Sequence, residues 1–317
     1  MKKITYSIIA TLVFTLFGCK EKSDILIAVN QYVYHPNLER TYRGVQDVVN
    51  EWAAENQKTV RYSFQVANGE VPLATQIARQ QVLKKPNVIL ALGTPSAQAS
   101  KQATNRIPII FGAVTDPVKA GLVDSLEVPG GNVTGSSDQW PYEEQFRFFR
   151  SVMPDAKRVG IVLNPGESNT EAAMKIIRKV VEKYGFEIVE APVASTAEIF
   201  AAASSLVGRC DMFFAPADNT VLSGLDAFVK VSRANRIPLF VGDEGSVEKG
   251  GIATLGVDYY ELGRETGKLL VEVLKGKDIS TLPVVVGASG NLVINKEAME
   301  FFQIAIPKEY ETNAEVK

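Results

Sequence analysis

From residue 24 onward, short apolar runs alternate with longer segments in which apolar positions recur every three to four residues. The runs ILIAV (25–29), VRYSFQV (60–66), VILAL (88–92) and PIIFGAV (108–114) read as strands, and the stretches 38–57, 72–84 and 95–104 between them read as amphipathic helices. Strand and helix alternating at this spacing predicts a parallel sheet covered on both faces. The second half repeats the plan. RVGIVLN (158–164), EIVEAPV (187–193), MFFAPAD (212–218) and IPLFVG (237–242) are its strands, with helices near 168–184, 196–207 and 221–235. The repetition extends to wording: Asn105-Arg106-Ile107-Pro108 and Asn235-Arg236-Ile237-Pro238 each introduce the fourth strand of their half. The expected fold is therefore α/β, two doubly wound parallel-sheet lobes of similar plan.

Two such lobes bind ligands in the crevice outside the carboxyl ends of their strands. The segments at those ends are 30–36, 94–97, 115–118, 164–170, 217–220 and 243–246. In LALGTPSAQA, Thr94 suits a helix N-cap and Pro95 the first helical position, so free N–H groups and the positive end of the helix dipole face the crevice beside Ser96. A phosphate loop would need more glycines and a lysine, and a nucleophile elbow a second glycine after Ser96; neither is present. Thr115 and Asp116 form a second such corner. The other half contributes the amides Asn164, Asn169 and Asn219 and the carboxylates Asp218 and Asp243. Hydroxyls and helix ends on one wall, with carboxylates and amides mostly on the other, suit a zwitterion. Each residue singly is also a good helix cap; convergence on one crevice is what gives the set meaning. Thr94, Ser96 and Thr115 are expected to take the carboxylate. Asp218 is expected to take the ammonium, with Asp116 or Asp243 as alternatives. Tyr32 and Tyr34 near the first strand end, with Trp140 at a lobe crossing, could sandwich a flat side chain.

Composition narrows the function classes. The chain has 317 residues, with 34 basic and 36 acidic side chains and no long basic block, so nucleic acid is not an expected partner. It has one histidine, His35, and two cysteines, so no His/Cys metal cluster can form, a Ser-His-Asp triad could be built only through His35, and no cofactor is expected. Lys2 and Lys3 precede a charge-free apolar stretch, 4–17, too short to span a bilayer and ending at Gly18-Cys19. It reads as a lipoprotein signal peptide (1–18), with Cys19 lipidated and 20–23 a polar tether. Cys210, beside an apolar run, reads as a buried structural thiol.

ALGTPSAQ, AVTDPVKAGLV, PGGNVTGSSD, LNPGESN, GVDYYELG and LVINKEAMEFFQIAIP together resemble the ABC-transporter substrate-binding protein family whose best-known members bind tryptophan or tyrosine. The resemblance runs over the whole mature chain. It implies a type I periplasmic-binding-protein fold that closes like a clam shell, with crossovers near 138–140, 257–259 and 282–284. The lobes would be 24–139 with 258–282, and 140–257 with 283–317. Carried over residue by residue, it adds Ser137 and Asp138 in the SSD crossing to the site residues above. The implied protein is a monomeric solute receptor, exported and lipid-anchored to the bacterial cell envelope, which hands an amino-acid-like ligand, an aromatic one, to a permease and its ATPase. A ligand-sensing subunit for a signalling partner, or a receptor for a different small polar metabolite, would share this fold and pocket. An enzyme is disfavoured, because no nucleophile–base pair is provided.

Overall fold

The structure is a computed structural model and describes residues 24–287, 289–311 and 314–317; the signal segment and Cys19 lie outside the described residues. Strand β1 (Asp24–Gln31) is the hub of the first sheet. It pairs in parallel with β2 (Thr59–Val66) on one side and β3 (Val88–Leu92) on the other, followed by β4 (Ile109–Val114) and β5 (Val133–Ser137). Helices α1 (Pro36–Glu55), α2 (Val71–Leu83) and α3 (Thr94–Ala103) make the crossovers. β3, β4 and β5 are buried at every position, as expected of apolar strands sandwiched between helices.

After α4 (Tyr142–Val152) the same order is rebuilt from β6 (Arg158–Leu163), α5 (Ser168–Lys183), β7 (Glu187–Pro192), α6 (Ile199–Ser205), β8 (Met212–Ala215), α7 (Asn219–Ser223), α8 (Leu225–Asn235) and β9 (Leu239–Val241). The parallel order β7-β6-β8-β9 matches β2-β1-β3-β4 strand for strand. α4 presses its aromatic face onto this sheet, with Phe149 and Phe240 ring centroids 4.6 Å apart and Phe146 and Phe214 5.2 Å apart. Such pairs add to the burial of large apolar area.

The last segments depart from the simple two-sheet expectation. α9 (Glu244–Glu248) leads to β10 (Ala253–Val257), and α10 (Tyr259–Leu274) returns to pack on α1. β11 (Val285–Val286) then adds to β5 at the edge of the first sheet, in register Val285 to Ser136. Thr134 Oγ1 donates to Leu282 O at 2.8 Å, so 282–286 runs along the first lobe and the third passage follows Val286, later than the 282–284 expected. β12 (Ser289–Ile294) pairs antiparallel with β10 and parallel with β13 (Ala314–Val316), after α11 (Lys296–Phe302). The second lobe thus holds a four-stranded parallel sheet and a three-stranded mixed one, stitched together by Ile252 N donating to Leu239 O at 2.9 Å. Cys210 is buried and free, and burial pushes its thiol up to about 11, which makes it inert at neutral pH.

Candidate functional site

Four helices end at the cleft between the lobes, and their first residues build a cavity there. α1 and α3 begin on the first lobe. His35 is the N-cap of α1 with extended backbone, yet its ring makes no capping bond and turns instead to the cleft. At α3 the N-cap is Gly93, not Thr94: its φ of 87° is one that glycine adopts without strain, and Thr94 becomes the first helical residue. The Thr94 hydroxyl is therefore released from capping and lines the cavity with Asn37 and Thr115. From the second lobe, Asn169 of α5 and Asn219 and Leu222 of α7 face them. Asp138, Trp140 and Tyr259, at two of the chain's passages between lobes, form the back wall.

The cavity is small. His35 Nε2 and Asn219 Oδ1 meet across it at 3.1 Å, and the free volume of about 20 Å³ would hold roughly one water. Five buried polar atoms on its walls have no hydrogen-bond partner: His35 Nδ1, Asn37 Oδ1, Thr94 Oγ1, Asp138 Oδ1 and Asn169 Oδ1. Buried polar groups are nearly always paired, so five orphans around one space mark a place built for a polar molecule.

Two hydrogen-bond chains hold these atoms in position. In the first, Trp140 Nε1 donates to Tyr259 Oη, which donates to Asp138 Oδ2, each at 2.7 Å. Trp140 is itself seated on Gly242, where any Cβ would lie 1.8 Å from the indole. Burial raises the Asp138 carboxyl above its usual range, and the Tyr259 and Thr115 hydroxyls partly oppose this. In the second chain, Glu167, at the start of α5, reaches the N-terminus of α7. Its Oε1 accepts from Thr220 N and Oγ1 at 3.0 and 2.7 Å, and its Oε2 from Asn219 N and Nδ2 at 3.1 and 2.6 Å and from Asn169 Nδ2 at 3.1 Å. A buried carboxylate with five donors at a helix N-terminus is well solvated by protein and fixes both asparagines. The His35 ring, buried by the second lobe, has its pKa lowered to about 4 and is neutral.

Of the residues expected from sequence, the structure brings Thr94, Thr115, Asp138, Asn169 and Asn219 to the cavity. The others sit around it, committed elsewhere. Ser96 Oγ donates to Asn30 Oδ1 at 3.1 Å, tying α3 to β1. Ser137 Oγ donates to Thr115 O at 3.1 Å and steadies that corner. Tyr32 gives its hydroxyl to Gly69 O at 2.6 Å, and Tyr34 is 55% exposed. Asp116 caps its own turn through Lys119 N and pairs with Lys119 Nζ at 2.8 Å. Asn164 bonds Thr220 and Gly166. Asp218, expected to take the ammonium, is instead the N-cap of α7: Oδ1 accepts from Val221 N, and Oδ2 from Asn164 N and Thr170 Oγ1. Burial, then the nearby Glu167, raises its pKa, and it does not line the cavity. Asp243 likewise caps α9, accepting from Ser246 N and Oγ at 2.9 and 2.6 Å. His35, Asn37 and Glu167 were not among the expected site residues. The one signal for them in the sequence was their place just past a strand end. Among the described residues no group of three His, Cys, Asp or Glu could hold a metal ion.

Residues 26–316 match the model of the ABC transporter substrate binding protein family. The chain belongs to that family. Its members are ligand binders rather than enzymes and are extracytoplasmic, and no described helix of this substrate-binding protein is long and apolar enough to cross a membrane. The protein is 36% identical over 274 residues to a tyrosine-binding protein of Clostridioides difficile, covering 86% of this chain and 79% of that one. Among solved structures, a conserved domain protein from Vibrio cholerae is 38% identical with a TM-score of 0.89, covering 92% of this chain and 99% of that chain. A Streptococcus pneumoniae domain in complex with L-Trp is 32% identical with a TM-score of 0.88, covering 93% and 99%. The ligand-free, open structure of a Clostridium difficile substrate-binding protein is also 32% identical, covering 92% and 99%, but its TM-score falls to 0.68. The two lobes of the present substrate-binding protein meet at the His35–Asn219 contact.

Proposed function

We propose that the protein is the lipid-anchored receptor of an ABC importer and that its ligand is an aromatic amino acid, bound as a zwitterion between the lobes. The observation that carries this reading is Asp138 Oδ1: a buried carboxylate oxygen, without a partner, in a cavity that has no lysine or arginine on its walls among the described residues. Such an atom is costly unless a cation meets it. An α-ammonium on Asp138 places the α-carboxylate toward Thr94, Thr115 and the N-terminus of α3, whose dipole and free N–H groups favour an anion. The apolar wall formed by Leu38, Trp140 and Leu222 suits an aromatic side chain. The relatives named for tyrosine and solved with L-Trp support this class. With about 20 Å³ free, an amino acid enters only with the lobes parted, and closure follows because it touches both. The lysines and apolar stretch before Cys19 support an anchor there, and membership of the ABC substrate-binding family supports a permease with its ATPase as partners.

A thermal-shift screen of the proteinogenic amino acids tests the reading. A ligand at about 100 times its Kd should add about 2.7 kcal/mol to folded-state stability. Asp138→Asn should weaken binding at least about tenfold, as expected for a charge-assisted bond, and leave the unliganded melting temperature unchanged or higher. If no amino acid raises the melting temperature of the wild-type protein, the zwitterion assignment is wrong.

A further inference from the structure

We infer that His35 Nδ1 reads a hydrogen-bond donor on the ligand's side chain, so that the site selects aromatic amino acids carrying a ring N–H or O–H. The inference rests on the zwitterion reading above and extends it to the side chain.

Glu167 fixes the orientation of the Asn219 amide. A carboxylate accepts and cannot donate, so the Asn219 group 2.6 Å from Glu167 Oε2 must be its amide nitrogen, and Asn219 Oδ1 must face His35. That oxygen can only accept, so the proton of the neutral imidazole sits on Nε2, 3.1 Å away. Nδ1 is left as a bare acceptor on a ring only 5% exposed, on the cavity wall and without a partner. The same logic applies to Asn169, whose amide nitrogen is spent on Glu167 Oε2 and Ala217 O, leaving Oδ1 as an acceptor. Asn37 Oδ1, likewise buried and without a partner, is an acceptor too. With Asp138 Oδ1, the unpartnered atoms of the cavity are four acceptors and, in Thr94, one hydroxyl. The three N–H groups of one ammonium can satisfy three of the acceptors. The fourth needs a donor elsewhere on the ligand, and we assign that acceptor to His35, which α1 brings to the cavity, whereas Asp138 lies on a crossover. A ligand that lacks that donor leaves a buried acceptor unpaired, which is the kind of penalty on which strong discrimination is built.

The test is calorimetric. On the wild-type protein, tyrosine should bind at least about tenfold more tightly than phenylalanine, or tryptophan than its benzothiophene isostere, in which sulfur replaces the ring N–H. His35→Leu should reduce the gap to less than about threefold by lowering the affinity of the donor ligand more than that of its partner. Because His35 is the only histidine, ¹⁵N-histidine labelling of the untagged wild-type protein adds a readout that requires no variant. The Nδ1 resonance should move toward its hydrogen-bonded position with the donor ligand and not with the isostere. Equal wild-type affinities, an unmoved Nδ1 resonance, or a gap that survives in His35→Leu would each overturn the inference while leaving the zwitterion reading standing. Failure of every amino acid to bind would remove both.

Discussion

His35 makes the stability of the folded protein depend on pH. Its ring is buried partly by Asn219 of the opposite lobe, and burial lowers its pKa from the ordinary 6.5 to about 4. Between those values the unfolded chain takes up a proton that the closed protein does not, so this contribution to stability is complete above 6.5 and is lost as pH falls toward 4. Lowering the pH from about 7 to about 5 should cost roughly 2 kcal/mol through this group alone. Urea midpoints measured at both pH values check it: wild type should lose about that much more than His35→Leu, and parallel losses would show that the ring titrates normally. At this scale the sequence was a partial guide to the site. Asp218 and Asp138 are both acids just past a strand, but Asp218 is followed at once by α7, whose Val221 N–H it caps, whereas no helix begins after Asp138 until Tyr142. A capping signature and a ligand-binding one use the same residue types, and only the position of the next helix separates them.

α1 and α10, more than two hundred residues apart in sequence, cross backbone to backbone. A Cβ on Gly263 would lie 2.2 Å from Thr41 O, and one on Gly44 2.3 Å from Tyr260 O. The neighbouring atoms are main chain and cannot swing aside, so Gly263→Ala should destabilise the first lobe by about 2 to 4 kcal/mol despite alanine's higher helix propensity. Chemical denaturation of the purified variant measures this, and a neutral outcome would mean the helices can separate without loss. α10 starts at Tyr259, which carries Asp138, so the same variant should also weaken ligand binding. The strands and helices of both repeats were legible in the hydrophobic pattern because each is buried against its own neighbours. β11 was not. Two residues at a sheet edge carry no period, and their membership of the first sheet is fixed by the pairing with Ser136 and Ser137.

Across the whole molecule, charged side chains latch the mouth of the cleft. Arg40 of α1 reaches Glu244 at 3.1 Å and Glu248 at 2.7 Å on α9, and Lys317 reinforces Glu244 at 2.7 Å. On the opposite flank Ser168 Oγ donates to Gln98 Oε1 at 3.2 Å. Arg40 and Glu244 are about a quarter exposed and Glu248 more so, so together the two pairs are worth about 1 kcal/mol, screened by salt. Arg40→Gln should therefore speed ligand release roughly fivefold at low ionic strength and progressively less as salt is raised. Stopped-flow fluorescence would follow it, and release rates that match wild type at all salt concentrations would show that the latch contributes nothing.

By itself the sequence determined the two α/β repeats, their parallel sheets and the set of strand ends where a ligand could lie, because periodicity and burial are local properties that each segment carries within itself. Which side chains at those ends face the cleft was decided by the tertiary structure. Thr94 is free because Gly93 takes the cap, Asp138 is aimed by Tyr259 from the far end of the chain, and His35 is left with a bare Nδ1 because Glu167, in the other lobe, orients Asn219. Each of those outcomes depends on which donor meets which acceptor across a gap of many residues, and the linear pattern does not encode that pairing.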